Sequence, residues 1–537
     1  MAEKSVSVQS AESQVAQSSP ATRPSLRTWL AQLEQAGQLH RIETRVDWDQ
    51  EIGAISRVNV SQGGPGLLFE NIKDYQDTFC TKFLTCALSN RTQVALLLGL
   101  PEDASSKTIT GHLRQVYRHP VPPRLVEGGP VKDHILTGDA IDVRQIPAPL
   151  WHHLDGGRYI DTFAGVVTKD PETDVANVGI YRGMLLDKDK IGKLLIKTQG
   201  WGEHFIQRGM KPEPMPVAIV YGWHDVLPFC AASCFTRWVC EWDMMGAILG
   251  QPVELVKCET VDLEVPATAE VVVEGFIDPD PSTFEMEGPF AEYPGYSGGQ
   301  PSPKPVVQIT CISHRDDPIV RGALEGARPG FPSEDLATFV HSWPAIICNY
   351  LDDVGVRGVT DAWIPPVTSG THVIVQIHKH YRGHAQQVAN ALWAWGIAQF
   401  AFKHVIVVEE DIDIRDPESV EWAIAYRVNA GEAGIVTFGP TFGSPLDPST
   451  PAHLNNPGKY GSGKWTRVLI DATRNWEFEP NERFGGRRYP PIAKLPVELE
   501  QQIHDRWGEY GIRVPYLDEG KREVLTLDKL AKILPEV

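Results

Sequence analysis

The sequence predicts a chain of α/β, then barrel-like β, then α/β character. Three observations carry this. Strand and helix periods alternate up to about residue 120, short β runs broken by Gly and Pro turns fill about 130–325, and helix and strand periods alternate again beyond about 330. A length of 537 residues exceeds what one core usually organises, which agrees with several domains.

In chain order, residues 1–24, "MAEKSVSVQSAESQVAQSSPATRP", are rich in Ser, Gln and Ala and lack an apolar core segment; they predict a disordered tail without a secretory signal. Order begins at "SLRTWLAQLEQAGQLHRI", where Ser25 caps a helix with Leu26, Trp29, Leu30 and Leu33 on one face and Gly37 ends it. This opens an N-terminal α/β domain over 25–125. "HPVPPRLVEGGP" (119–130) is the first linker candidate. A β-rich domain over 126–325 contains "YIDTFAGVVTKD", "NVGIYRGMLL", "MPVAIVYG", "AEVVVEGFI" and "PVVQITCISH", with "VCEWDMMGAILG" as its one helical interruption. The second α/β unit, 326–480, alternates "SEDLATFVHSWPAIICNYLDD", "VIVQIHKH", the helical "AQQVANALWAWGIAQFA" and "KHVIVVEEDIDI". An extension over 481–537 carries "LPVELEQQIHDRWGEYGI", an amphipathic helix from Pro496 onward.

Charge narrows the function. Fifty Lys and Arg against 69 Asp and Glu give a net charge of −19, which argues against nucleic acid or an anionic membrane as partner. No apolar run approaches the roughly 20 residues of a membrane span. Eight scattered cysteines without a secretion signal predict free thiols in a reducing cytoplasm. Cys230, Cys234 and Cys240 cluster, but their spacing matches no zinc pattern and predicts buried thiols.

Four stretches concentrate chemistry. "PAPLWHHLDGGRYI" (147–160) reads as a plain Asp-Gly-Gly turn or as a shaped wall. In "NVGIYRGMLLDKDK", Arg182 is either a surface cation or a buried fork for a carboxylate or phosphate. Glu241, among Trp238, Trp242 and two methionines, is a metal-bound or paired carboxylate, or a helix-face glutamate reaching solvent. "EMEGPFAEYPGY" (285–296) sets three glutamates close together. It is a solvated acidic loop, or a proton-handling pair in which an arginine holds one carboxylate ionised and the other stays able to donate.

In this order, and joined by "ELVKCETVDLEVPATAEVVVEG" and "VVEEDIDIRDPESVEWAIAYR", these stretches resemble the UbiD family of prenylated-FMN-dependent (de)carboxylases. The resemblance implies an N-terminal α/β domain, a central split β-barrel that binds the flavin, and a C-terminal α/β oligomerisation domain. It implies Arg182, Glu287 and Glu292 as the catalytic network, with Arg182 gripping the substrate carboxylate and Glu292 as the acid. Cofactor contacts follow at Asn177, Ile180, Tyr181, Arg182, Ala232, Ser233 and Glu241. Asn177 and Glu241 match two of the family's metal ligands, but the usual histidine is missing near Gln199-Gly200, and His204, four residues on, is the candidate third ligand. Mn²⁺ is the expected metal, with Fe²⁺ or Mg²⁺ as alternatives and K⁺ beside it.

The implied reaction is reversible non-oxidative decarboxylation of an aromatic or α,β-unsaturated acid, hydroxybenzoate and a phthaloyl-CoA-type thioester included. Loss of CO₂ from an sp² carbon needs an electron sink that side chains do not supply. A separate flavin prenyltransferase would supply the cofactor, and a homodimer or homohexamer is expected. Tyr181 reads as a ring-substituent contact or a packing residue, and Trp151, Trp201, Trp223 and Trp238 as stacking or barrel-filling residues. A split-barrel flavin protein or reductase without decarboxylase activity is the alternative. A glycoside hydrolase built on a carboxylate pair leaves Arg182 unexplained, and a non-catalytic assembly subunit leaves all three network residues unexplained.

Overall fold

The computed structural model describes residues 23–197, 199–233, 235–236, 238–298, 300–326, 333–454, 463–491, 493 and 496–511; the predicted tail and residues 512–537 of the predicted extension lie outside the described residues. Ser25 and Thr28 exchange side-chain and backbone hydrogen bonds, a reciprocal cap that starts the helix Leu26–Gln35. Leu26, Trp29, Leu30 and Leu33 form its buried face, as the spacing predicts. The adjoining sheet orders Leu39–Ile42, Gly66–Phe69 and Lys82–Thr85, and takes its fourth strand, Ile319–Arg321, from far along the chain.

Eight strands make the barrel: β1 (Tyr159–Asp161), β2 (Gly165–Lys169), β3 (Ala176–Ile180), β4 (Gly183–Asp187), β5 (Lys190–Lys193), β6 (Met215–Tyr221), β7 (Val271–Ile277) and β8 (Val306–His314). Their order is β1-β4-β5-β8-β7-β6-β2-β3, so the sheet curls through seven ladders and stays unpaired between its ends, β1 and β3. Two short links cross that split: Thr162–Ala164 joins β1 to β2, and Tyr181–Arg182 joins β3 to β4. Along β6, Val217, Ile219 and Tyr221 belong to one core, while Ala218 and Val220 belong to the other. Both faces are covered, which is why "PVAIVY" reads as an unbroken apolar run.

The C-terminal sheet orders Val359–Trp363, His372–Ile377, His404–Glu409, Gly463–Asp471 and Ile435–Gly443, with helices Glu334–Asp353, His384–Ala394 and Pro417–Arg427. The helical period predicted through "WAWGIAQFA" stops at Ala394, and Gly396–Gln399 forms a 3₁₀ turn instead. A buried ionic knot joins the parts. Arg321 donates to Asp225 through Nε and Nη2, and to Glu334, whose carboxylate also accepts the Cys86 and Leu88 N–H groups at 2.6 and 3.0 Å. Residues 474–511 form a separate unit in which the predicted helix spans Val497–Asp505 and gives way to a 3₁₀ turn at Trp507–Tyr510. No helix among the described residues is long and apolar enough to cross a membrane.

Burial holds the imidazoles of His224 and His341 neutral, pulling each pKa down to about 4, with Arg91 and Arg415 adding to the effect at His341. Unfolded histidine titrates near ~6.5, so between about 6.5 and 4 the unfolded chain binds more protons and stability falls as pH drops. Each histidine contributes a loss of about 3 kcal/mol over that window, which then levels off. Urea midpoints are expected to fall steeply from pH 7 to 4.5, and a His341→Gln variant to fall less steeply.

Candidate active site

Arg182 occupies the link across the split. Its Nε and Nη2 each lie 3.0 Å from one oxygen of Glu287, and its Nη1 donates to Glu292 Oε1. Glu287 is 1% exposed and Glu292 8%. Burial alone would lower the guanidinium pKa, but the charges of Glu292 and Glu287 outweigh it, so Arg182 stays a cation. Tyr159 on β1 donates to Glu287 Oε1 at 2.8 Å; its phenol is pushed up by burial and by the Glu287 charge.

The acidic stretch is a folded-back hairpin. Glu285–Glu287 pairs with Ser302–Lys304, and Phe290–Ala291 pairs with Ser297–Gly298. Gly288, at φ +96°, makes the bend between the two glutamates that a side chain would disfavour. Glu285 points outward to Lys190 at 2.6 Å, in keeping with a surface role. "DGG" is the socket for this hairpin: Asp155 Oδ1 accepts the Ala291 N–H at 3.0 Å and Gly156 N–H donates to Pro289 O at 2.7 Å. A Cβ at Gly156 would come within 2.0 Å of Gly288 O, so only glycine permits the approach.

A cavity of about 480 Å³ opens beside the network, lined by Asn177, Ile180, Tyr181, Arg182, His204, Ala231, Ala232, Glu241 and Glu292. Glu287 stands behind Arg182 and is not part of the lining. Asn177 Nδ2 donates to Tyr181 OH at 3.2 Å, and the Tyr181 ring stacks on Trp201 with centroids 4.4 Å apart. Tyr181 therefore braces Asn177 and packs. Glu241, first in the helix Glu241–Leu249, accepts the Val178 N–H at 2.8 Å, and burial pushes its carboxyl up to about 8. His204 Nδ1 is 2.9 Å from Thr168 Oγ1. A Cβ at Gly200 would fall 1.9 Å from Asn177 Oδ1, so the Asn177 amide fills the space beside Gly200. Among the described residues, no three His, Cys, Asp or Glu side chains group to hold a metal ion.

Ser233 is buried outside the cavity lining, its hydroxyl donating to Phe229 O at 2.5 Å and lying 2.6 Å from Ser342 Oγ; the Ala232 carbonyl accepts from Trp343 Nε1 at 2.9 Å. None of the four tryptophans singled out lines the cavity: Trp151, Trp201 and Trp223 are core residues and Trp238 is 68% exposed. The aromatic wall comes instead from Phe290, Tyr293, Phe339, Trp395 and Phe400. Arg467, fully buried, holds the 395–402 turn by donating to the carbonyls of Ala398, Ala401 and Phe402. Burial keeps the Cys230 thiol well above its ordinary pKa and pushes Cys240 up to about 12; Cys234 lies outside the described residues.

A split barrel that carries a buried Glu–Arg–Glu network on the wall of a cavity bounded in part by an α/β unit is the class of fold and site these residues define. Three family descriptions match in succession, the N-terminal, Rift-related and C-terminal domains of 3-octaprenyl-4-hydroxybenzoate carboxy-lyase, over residues 30–113, 124–328 and 339–472. An uncharacterised protein of Synechocystis is 30% identical over 91% of this chain and 96% of its own length. Among solved structures, the UbiD-class enzyme HmfF of Pelotomaculum thermopropionicum in complex with FMN is 32% identical, with TM-score 0.73 over 90% of this chain and 99% of that one. An evolved dimeric form of HmfF in complex with prFMN is 31% identical, with TM-score 0.71 over 88% and 98% of the two chains. Vanillic acid decarboxylase of Sedimentibacter hydroxybenzoicus in closed form is 30% identical, with TM-score 0.81 over 92% and 100%. The chain belongs to the UbiD family and has its three-part architecture.

Gly156→Ala is expected to push the Gly288–Pro289 backbone away and to lower stability by about 1–3 kcal/mol. Gly128→Ala, where a Cβ meets nothing within 4 Å, serves as the control and is expected to leave the denaturant midpoint unchanged.

Proposed function

We propose that the chain is a prenylated-FMN-dependent carboxy-lyase that reversibly decarboxylates an aromatic or α,β-unsaturated carboxylic acid. The observation that carries the reading is Arg182 held between Glu287 and Glu292 at a cavity wall, with only Glu292 of the two carboxylates on that wall. The prFMN and FMN complexes of HmfF and the activity named for vanillic acid decarboxylase support it.

The residues present fit the flavin. Gly179 and Gly200 are positions where a Cβ would strike Tyr181 at 2.4 Å and Asn177 at 1.9 Å, so the chain leaves these two side chains room to define the cradle. Ile180, Tyr181, Arg182 and Ala232 would flank the cofactor, with Asn177 and Glu241 at its phosphate. Glu241, Asn177 and His204 would be the donors for a divalent ion there, Mn²⁺ by preference for an oxygen-rich set, with Mg²⁺ or Fe²⁺ as alternatives. The carbonyls of Ala231 and Ala232 and the Ser233 hydroxyl oxygen, which keep lone pairs beyond the bonds of Ala232 from Trp343 and of Ser233 to Phe229, would be the contacts for K⁺. When bound, prenylated FMN supplies the electron sink for the carbon that loses CO₂.

The chain's own residues do the rest. Three of the five N–H groups of Arg182 are spent on Glu287 and Glu292, which leaves one on Nη1 and one on Nη2 for a substrate carboxylate. With that carboxylate bound, one cation faces three carboxyl groups, and like-charge repulsion favours the neutral form of the one that reaches the cavity. Glu292 is then charged with a proton at the moment it is needed, and delivers it to the carbon vacated by CO₂. Glu287, excluded from the cavity and held by Tyr159, keeps the guanidinium aimed. The aromatic wall suits a planar ring. Exposed Ile435, Phe438 and Phe442 on the C-terminal edge strand support assembly into a homodimer or larger ring through that unit. A cytoplasmic location beside a flavin prenyltransferase completes the reading.

After co-expression with a flavin prenyltransferase, the purified protein is expected to release a cofactor with the mass of prenylated FMN. It is also expected to release CO₂ from at least one acid in a panel of hydroxybenzoates, cinnamates, heteroaromatic acids and phthaloyl-CoA. Glu292→Gln should keep the flavin and lose turnover by about 10²-fold or more. Plain FMN with no CO₂ from any acid, or wild-type turnover in Glu292→Gln, contradicts the proposal.

A further inference from the structure

A second buried ionic group lies at the split, behind the network. Asp161 ends β1, Gly183 begins β4 and Lys193 ends β5, and the register pairs Asp161 with Gly183 and Gly183 with Lys193. Side chains at directly opposed positions share one face of a sheet, so Asp161 and Lys193 reach toward each other over a glycine. A Cβ at residue 183 would lie 2.1 Å from Asp161 Oδ2. Lys193 Nζ sits 2.5 Å from that oxygen and 2.9 Å from the carbonyl of Tyr181. Tyr221, from β6, donates to the other oxygen of Asp161. Lys193 and Tyr221 are fully buried and Asp161 is 1% exposed. The ammonium also lies 5.4 Å from the centre of the Trp201 ring, on which Tyr181 stacks.

A fully buried ion pair adds little to stability relative to apolar side chains of the same size, because desolvation cancels most of its attraction. Its geometry suggests another use. Four elements meet at one peptide: β1 through Asp161, β5 through Lys193, β6 through Tyr221, and the β3–β4 link through the Tyr181 carbonyl. That carbonyl belongs to the residue immediately before Arg182, in a link that no strand ladder holds. We infer that Asp161, Lys193 and Tyr221 form a clasp that closes the barrel split and fixes the Tyr181–Arg182 link, so that Lys193 is a positioning residue for the carboxylate-gripping guanidinium. The inference rests on the role given to Arg182 above. Lys193 reaches neither substrate nor cofactor in this account: it acts through the backbone that carries Arg182.

The test uses the full-length holoprotein and three variants: the double Lys193→Met/Asp161→Asn, Tyr221→Phe and Gly183→Ala. Two readouts are taken, amide hydrogen exchange across residues 178–186, and KM and kcat per bound flavin. The double variant is expected to bind flavin and to exchange at least tenfold faster in 178–186, with 271–277 unchanged. Its KM for the acid should rise at least tenfold while kcat per bound flavin changes less than threefold. Tyr221→Phe and Gly183→Ala should move the same segment in the same direction by smaller factors. Wild-type exchange in 178–186 together with wild-type KM in the double variant overturns the clasp. If the double variant does not fold, unchanged local exchange in both single variants overturns it. Faster local exchange in a protein that releases no CO₂ from any acid supports the clasp and overturns the decarboxylase reading, so the two failures are distinct.

Discussion

One largely buried guanidinium shared by two buried carboxylates is the constraint on which the site depends. A buried arginine without partners is expensive, and so is a buried glutamate. Placed together as Glu287–Arg182–Glu292 they stabilise one another, provided that each is held to within a fraction of an ångström. Two of the three come from a hairpin of two- and three-residue strands outside the barrel's own ladders. The third comes from a two-residue link between strands that are not paired with each other. The surrounding structure supplies the rigidity that secondary structure does not. Tyr159 and the Asp155–Gly156 socket hold the hairpin, and Lys193 holds the link.

Incomplete closure of the barrel has a functional consequence. A closed barrel would put strand ladders where the cavity now opens, and the backbone at 181–182 would be committed to pairing. Leaving β1 and β3 apart exposes that stretch, and the C-terminal unit then covers the opening with aromatic side chains. Buried arginines secure this cover: Arg321 ties the start of the helix Glu334–Asp353 to the N-terminal sheet, and Arg467 gathers the carbonyls of the turn that carries Trp395 and Phe400. Both use planar, multiply donating side chains where backbone and carboxylate acceptors converge.

Much of this was legible in the sequence. The α/β, β, α/β order follows from the change of hydrophobic period along the chain, and "NVGIYR" with "EGPFAE" pointed to Arg182, Glu287 and Glu292 through a family resemblance rather than through spacing. Residue types alone left the acidic stretch undecided, because burial decides between a solvated loop and a proton-handling site, and burial is a property of the fold. Tyr159, Asp161 and Lys193 were invisible for a related reason. Each is an ordinary strand residue until the register of β1, β4 and β5 sets Asp161 and Lys193 across Gly183. Aromatic content carries no direction, so it left stacking and barrel-filling tryptophans undecided: Trp151 and Trp223 fill cores, while Trp395 faces the cavity where the helical pattern gives way to the turn Gly396–Gln399. Ser233 shows the same limit, its hydroxyl being drawn to Phe229 and Ser342 in the core.

The central claim is that the two carboxylates on Arg182 differ in kind, Glu292 exchanging a proton with the reacting carbon and Glu287 never doing so. Deuterium incorporation into the decarboxylated product, followed by NMR with the flavin-loaded protein in D₂O and no added CO₂, tests this most directly. The account predicts exchange at the carbon that bore the carboxylate in the wild type, and its loss by about 10²-fold or more in Glu292→Gln at full flavin occupancy. Exchange at the wild-type rate in Glu292→Gln would contradict it.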